Sequence, residues 1–262
     1  MDWGPSEGDA AALAARIEEV CLNAWPALQE IHYDGWLIRL ADGQTRRTNS
    51  VNVLHDGRLP ADEKIHYCEE IYRRHALTPH FRLLSTASPT LDWLLDERGY
   101  RAMDETSTLF MDFRRHAPTL AAGAVELHSE ATAEWLAARA RISGQSAGEM
   151  RKVEKILHQL ALPAVFAAIR GKDGAICSIA KGAVHGGIVC LNMVATDPAV
   201  RRRGHSRECV SAILTWAERE AGARGACLQV VSDNWPAIAL YRQLGFEREV
   251  YRYHYRALEH AA

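Results

Sequence analysis

Between Leu191 and Ser206 the chain reads LNMVATDPAVRRRGHS, and this stretch constrains the fold more than any other. An apolar run with strand character ends at Ala195-Thr196. An Asp197-Pro198 turn follows, and Arg201-x-x-Gly204-x-Ser206 opens a long helical pattern. A strand that passes to a helix through a basic, glycine-containing loop turns the first-turn amides outward, where the helix dipole favours an anion. Each such contribution is ~0.3–1 kcal/mol when exposed, and several amides converging on one pyrophosphate add up. The stretch predicts an α/β arrangement with a phosphate group held at a helix start. The alternative is a surface arginine cluster capping a turn.

The rest of the composition narrows the class. With 262 residues, 48% hydrophobic and 24% charged, the chain has room for one large globular domain or two small ones. A formal net charge of -2 argues against a bulk nucleic-acid or anionic-membrane binder, so Arg201–Arg203 is a local cluster. No stretch is long and apolar enough to span a bilayer, and Met1–Pro5 does not start a signal peptide. The six cysteines (Cys21, Cys68, Cys177, Cys190, Cys209 and Cys227) form no Cys-x-x-Cys motif. They read as small buried hydrophobes, which predicts no metal and fits a reducing cytoplasm.

Along the chain, residues 1–10 read as a loose tail and 11–24 as an amphipathic helix. Strands are predicted at 35–41 and 47–54, a helix from Pro60 to His75, a short strand at 81–85, a helix at 90–98 closed by Gly99, and a strand over 100–113. Residues 114–123, with Pro118, read as a linker between an N-terminal domain (11–113) and a C-terminal one (124–262). The second half shows a strand near 125–128, helices at 130–142 and 147–160, and a meander at 164–170, 175–184 and 187–196. A helix at 204–221, a strand at 226–232, a helix at 235–244 and a strand at 246–257 follow. Leu83–Phe113 and Leu228–Tyr255 share one order: strand, helix, Gly-aromatic, long strand. Either one unit is present twice, or this is an ordinary helix–Gly–strand junction.

Arg201–Ser206 resembles the pyrophosphate loop of the GCN5-related N-acetyltransferases, Gln/Arg-x-x-Gly-x-Gly/Ala, with Ser206 in place of the usual Gly or Ala. Asn234–Phe246 resembles the same family's Asn-x-x-Ala-x-x-Leu-Tyr-x-x-x-Gly-Phe segment. Together the two cover about the last third of the chain. The resemblance implies an α/β (α+β) fold, a mixed, mostly antiparallel sheet flanked by helices. It gives two related halves, of which the first, lacking the loop and carrying Leu95 where the second has Tyr241, is degenerate.

The resemblance also implies acetyl-CoA as cosubstrate, no metal, and direct acetyl transfer to a primary amine in a ternary complex. The phosphates fall to Arg201, Arg202, Arg203, Gly204, His205, Ser206 and Arg207, and the pantetheine arm to the backbone of Val194, Ala195 and Thr196. In the family this strand splays from its neighbour, Leu228–Ser232; the alternative is an ordinary core strand. Tyr241 falls where a phenol meets the departing sulfur. With a pKa of ~10 against ~8.5 for a thiol, it can donate while neutral; the alternative is a core tyrosine. Asn234 is a cofactor contact, a helix N-cap, or both.

No acid lies between Ile188 and Thr196, where many members carry a glutamate. Asn192 or a water chain is one relay. Glu149 is the candidate base, with Glu154 and His158 on the same helix, unless these are solvated helix residues. Thr45–Asn52 lines a cleft or forms a hydrogen-bonded turn and edge strand, and Trp25, Trp36, Trp93 and Trp135 read as core or interface anchors. The expectation is a cytoplasmic enzyme, monomer or homodimer, acting on a small-molecule amine and on neither nucleic acid nor membrane. The rivals are a protein N-terminal or lysine acetyltransferase and a non-catalytic acyl-CoA sensor or scaffold.

Overall fold

The computed structural model describes residues 7–258. In chain order the first elements are helix α1 (Glu7–Ala24), strands β1 (Gln29–Tyr33), β2 (Trp36–Leu40) and β3 (Val51–Val53), helix α2 (Ala61–Arg74), β4 (His80–Leu84), α3 (Pro89–Glu97) and β5 (Tyr100–Asp112). Next come β6 (Glu126–His128), helices α4 (Ala133–Ser143) and α5 (Ala147–His158), and strands β7 (Ala164–Arg170), β8 (Ile176–His185) and β9 (Ile188–Thr196). Helix α6 (His205–Arg219), β10 (Gly225–Val231), α7 (Trp235–Gln243) and β11 (Arg248–Leu258) complete the chain.

These elements form two compact units, one of residues up to Trp25 plus Thr108–Val250, the other of Pro26–Ser107 plus the segment from Tyr251. The division departs from the linear one expected at 114–123. Helix α1 belongs with the second half of the sequence, and most of β11 belongs with the first. Residues 1–6 of the expected tail lie outside the described residues, while 7–10 are already helical.

In the larger unit the strand order is β5-β10-β9-β8-β7-β6. Strands β6 to β9 pair antiparallel, and β9 pairs with β10 in parallel through the α6 crossover. One sheet face carries α6, whose Val210, Ile213, Leu214 and Ala217 repeat at helical spacing and pack on Ala180, Val184, Val189, Leu191 and Leu228. Gly182 makes this approach possible, because a Cβ there would lie 2.3 Å from Ile213 Cγ2. Alternate residues of the same strands point the other way, toward α4 and α1, whose Leu13, Ile17, Val20, Cys21 and Ala24 are buried.

The smaller unit repeats the plan. Strands β1, β2 and β3 pair antiparallel, β3 and β4 pair in parallel across α2, and β4 pairs antiparallel with β11. Its core is Trp36, Ile38, Val51, Ile65, Cys68, Tyr72, Phe81, Leu95 and Tyr100. Each unit is thus completed by a strand encoded in the other half of the sequence: β5 lies beside β10, and β11 beside β4.

The polar run at Thr45–Ser50 is a hydrogen-bonded turn, including a 3-10 turn at Arg46–Thr48, and not the start of a strand. The Asn49 side chain accepts from the Ala41 and Gly43 amides and donates to the Gln44 and Thr45 carbonyls. The strand begins only at Val51 and is internal, between β2 and β4. Trp25, Trp36 and Trp135 are buried anchors, whereas Trp93 is 60% exposed.

Candidate active site

In the larger unit β9 and β10 part company. Their parallel ladder runs from Gly225↔Ile188 to Leu228↔Leu191 and stops there. Just beyond, Met193 has φ of 57°, and the β8–β9 register slips between Ile179↔Ala195 and Lys181↔Asn192. Two residues of β9, Met193 and Val194, thus stand against the single Ala180, which is a β-bulge that bends and twists the strand. The β9 edge from Asn192 to Thr196 is left without β10 as a partner. Nothing in the residue types at 192–194 signals such a bulge.

At the open end of this gap the chain turns through Asp197, whose carboxylate accepts from the Ala199 amide and pairs with Arg141. These contacts, the amide first, hold its carboxyl below the usual range. Arg202 and Gly204 follow with φ of 61° and 86°. Gly204 is needed for that left-handed conformation, and the space before it is open: a Cβ there would meet nothing within 4 Å. The first α6 bond is from the Glu208 amide to the Gly204 carbonyl, at 3.0 Å. The amides of His205, Ser206 and Arg207 therefore point out of the helix end without intrahelical acceptors. Arg201, Arg202, Arg203 and Arg207 are exposed around them, and Arg201 Nε also donates to the Thr196 carbonyl.

A hydroxyl chain anchors this helix start. Ser206 Oγ lies 2.7 Å from Thr196 Oγ1, which lies 2.7 Å from Ser178 Oγ, which donates to the Ala195 carbonyl at 3.3 Å. One proton per hydroxyl fixes the direction: Ser178 donates to the carbonyl, Thr196 to Ser178, and Ser206 to Thr196. The Ser206 proton is committed inward.

Tyr241 sits on α7 in the apolar cluster against which Val194 packs. Its ring meets Phe246 edge-on at 5.9 Å. The residue is 8% exposed, its hydroxyl has no hydrogen-bond partner among the described residues, and burial alone pushes its pKa up to about 12. Asn234 is the α7 N-cap, its side chain accepting from the Ala237 amide at 3.3 Å, with the residue exposed. The structure therefore groups Val194, Ala195, Thr196 and the 201–207 loop at one end of the gap.

Glu149 stands apart from that group. It is the third residue of α5 and closes a capping box with Ser146, accepting from the Ser146 amide and hydroxyl at 2.8 and 2.7 Å. Those bonds favour the carboxylate and hold its pKa below the usual range, opposite to what a proton acceptor needs. Glu154 and His158, farther along α5, line a cavity of about 290 Å³ with Glu130, Leu136 and Phe166, beside the start of β7.

The smaller unit differs at the corresponding loop. Between β3 and α2, where the larger unit has its arginine loop, Asp34 supplies its own carboxylate. Asp34 Oδ2 accepts from the Arg58 and Leu59 amides at 2.7 Å each and lies 3.4 Å from the buried Lys64 ammonium. Those amide bonds, Leu59 first, lower the Asp34 pKa. The position an external anion would take is filled from within.

Residues 14–256 match the family model described as "Probable histone acetyltransferase Rv0428c C-terminal". A Bacillus subtilis protein named "Uncharacterized N-acetyltransferase YobR" is 22% identical over 244 residues, 92% of this chain and 97% of its own. Among solved structures, a GCN5-related N-acetyltransferase from Kribbella flavida superposes with a TM-score of 0.69 at 19% identity, covering 94% of this chain and 95% of that one. A tandem GNAT protein from the clavulanic acid biosynthesis pathway gives 0.67 at 15% identity, covering 99% and 89%. At these identities the structural likeness establishes the fold, and the family match extends over nearly the whole chain. The chain has the fold of the GCN5-related N-acetyltransferases, and it belongs to the family whose model is described as "Probable histone acetyltransferase Rv0428c C-terminal".

Proposed function

We propose that this chain transfers acetyl from acetyl-CoA to the primary amine of a small molecule, directly and within a ternary complex. The observation that carries this reading is the parting of β9 from β10 beside a helix start with outward amides. An unpaired strand edge suits the amides of a pantetheine arm, and the Arg202–Arg207 loop suits its phosphates. The open space before Gly204 and the lack of β10 pairing along this part of β9 support both assignments.

In the reaction a C–N bond forms, the C–S bond breaks, the amine loses a proton and the thiolate gains one. The β9 backbone aligns the thioester. Tyr241 serves the thiolate as a hydrogen-bond donor. With its pKa near 12, full transfer to a thiolate of pKa ~8.5 is uphill by about 5 kcal/mol, so the bond, not the proton, is what the phenol supplies early in the reaction. Strand β9 carries no carboxylate and Glu149 is engaged as a helix cap, so the amine releases its proton to water. Turnover then rises with pH along the amine's own titration.

A hydrogen bond to a charged group contributes ~1.5–3 kcal/mol, so Tyr241→Phe should lower kcat about 10- to 100-fold with little change in CoA affinity. Labelled acetyl-CoA in whole and desalted host extracts supplies the test. Tyr241-dependent label in a small molecule, seen only with the whole extract, is expected. Label on protein in the desalted extract would favour the protein-acetylating reading that the family description raises. Acetyl-CoA binding with no Tyr241-dependent label would leave a sensor or scaffold.

A further inference from the structure

On the sheet face under α1, three cysteines far apart in sequence converge. Cys190 on β9 and Cys227 on β10 are direct partners in the parallel ladder, and Cys21 reaches them from α1. Cys21 Sγ is 3.9 Å from Cys227 Sγ and 4.0 Å from Cys190 Sγ, and all three sulfurs lie within 4.8 Å of one another. All are free thiols and buried. We propose that Cys21, Cys190 and Cys227 form a buried three-thiolate site for a thiophilic d10 cation of the Zn²⁺ or Cu⁺ class.

Two arguments support this, and neither depends on the transferase reading. The first is distance. A point equidistant from sulfurs 3.9, 4.0 and at most 4.8 Å apart lies ~2.3–2.5 Å from each, close to the metal–thiolate bond length.

The second is the surroundings. Asn192 Nδ2 donates to Cys190 Sγ at 3.4 Å, the kind of N–H···S bond that steadies a metal-bound thiolate. Lys181, the cross-strand partner of Asn192, is fully buried in the same layer, with Nζ donating to the Ala24 carbonyl at 2.7 Å.

Loading exchanges protons for the ion, three for Zn²⁺ with all thiolates formed, and involves no change of oxidation state. Because the site is closed, the ion enters as the chain folds. Cys190 lies at the last ladder positions before β9 and β10 part, so the ion would fix α1, β9 and β10 together at the root of that gap.

The test refolds the reduced full-length protein with Zn²⁺, or anaerobically with Cu⁺, then removes loose metal by dialysis against a chelator. Metal per chain is measured by elemental mass spectrometry. About one retained ion per chain is expected with one of the two metals, which identifies the ion. Cys190→Ser and Cys227→Ser should each lower affinity at least ~10-fold, while Cys209→Ser, on the α6 face, retains the ion. Circular dichroism reports whether each variant folds, and metal retention by the wild-type chain stands as the test if one does not. Retention of neither metal, or unchanged retention in Cys190→Ser, would overturn the proposal.

Discussion

Ser206 occupies a position where the family usually carries Gly or Ala, and the hydroxyl chain gives it a specific task that can be measured. If its proton points inward to Thr196, Ser206 stabilises the helix start and is not a direct ligand for a bound phosphate. A neutral hydrogen bond contributes ~0.5–1.5 kcal/mol net, so Ser206→Ala should destabilise by about that amount. Thr196→Val keeps the shape and removes both 2.7 Å contacts, to Ser206 and to Ser178, predicting ~1–3 kcal/mol. The lower end is expected, because Ser178 keeps the Ala195 carbonyl as acceptor. Once Thr196 is valine, Ser206→Ala should cost almost nothing further, a coupling of ~1 kcal/mol in a double-mutant cycle. Urea denaturation of the four proteins gives the cycle, and CoA titration of the same four gives affinity. Additive costs would refute the chain. So would a Ser206→Ala protein of unchanged stability whose CoA affinity falls tenfold or more, since the hydroxyl would then face the ligand.

Three further outcomes follow from the geometry. Glu149→Gln should keep turnover within about twofold, since the side chain serves a helix cap; a loss above ~100-fold would restore it as the base. Gly182→Ala sets a Cβ 2.3 Å from Ile213 Cγ2 and should destabilise the larger unit by ~1–3 kcal/mol, while in an Ile213→Ala background, which lacks Cγ2, the same change should cost markedly less in thermal melts. Asp92, held by Arg256 and then His254, has a depressed pKa, so its contribution is complete above its ordinary value of 3.8 and is lost as pH falls through the lower folded value. Asp92→Asn should flatten the acid limb of stability there while a melt at neutral pH shows the lost ion pair; an unchanged acid limb would contradict the assignment.

Much of the larger unit was readable because its signals are local. The apolar run before Asp197 became β9, the arginine loop became the α6 start, and the Asn234–Gln243 pattern became a capped α7. The strand β1 was missed because QEIHY is a largely exposed edge with no apolar alternation. The Met193 bulge and the Asp34 plug escaped for another reason. Each is set by contacts across strands or loops, and their residues carry no distinguishing type. The three converging cysteines lie on α1, β9 and β10, so no spacing rule brings them together. Glu149 shows the converse: Ser146-x-x-Glu149 is a capping-box signature in plain view, and the helix, not the chemistry, claims it.

The crossed strands have a consequence for how this protein is made. Residues 251–258 complete the sheet whose other strands begin at Gln29, so that unit cannot close while the ribosome is still working through the second half. Until then β4 presents a bare edge, and loops of well over a hundred residues must be closed to cover it. A nascent chain stalled before Arg248 would be missing a strand in the half translated first. Damage late in the message thus disables the early-built domain, and neither unit corresponds to one contiguous stretch of sequence.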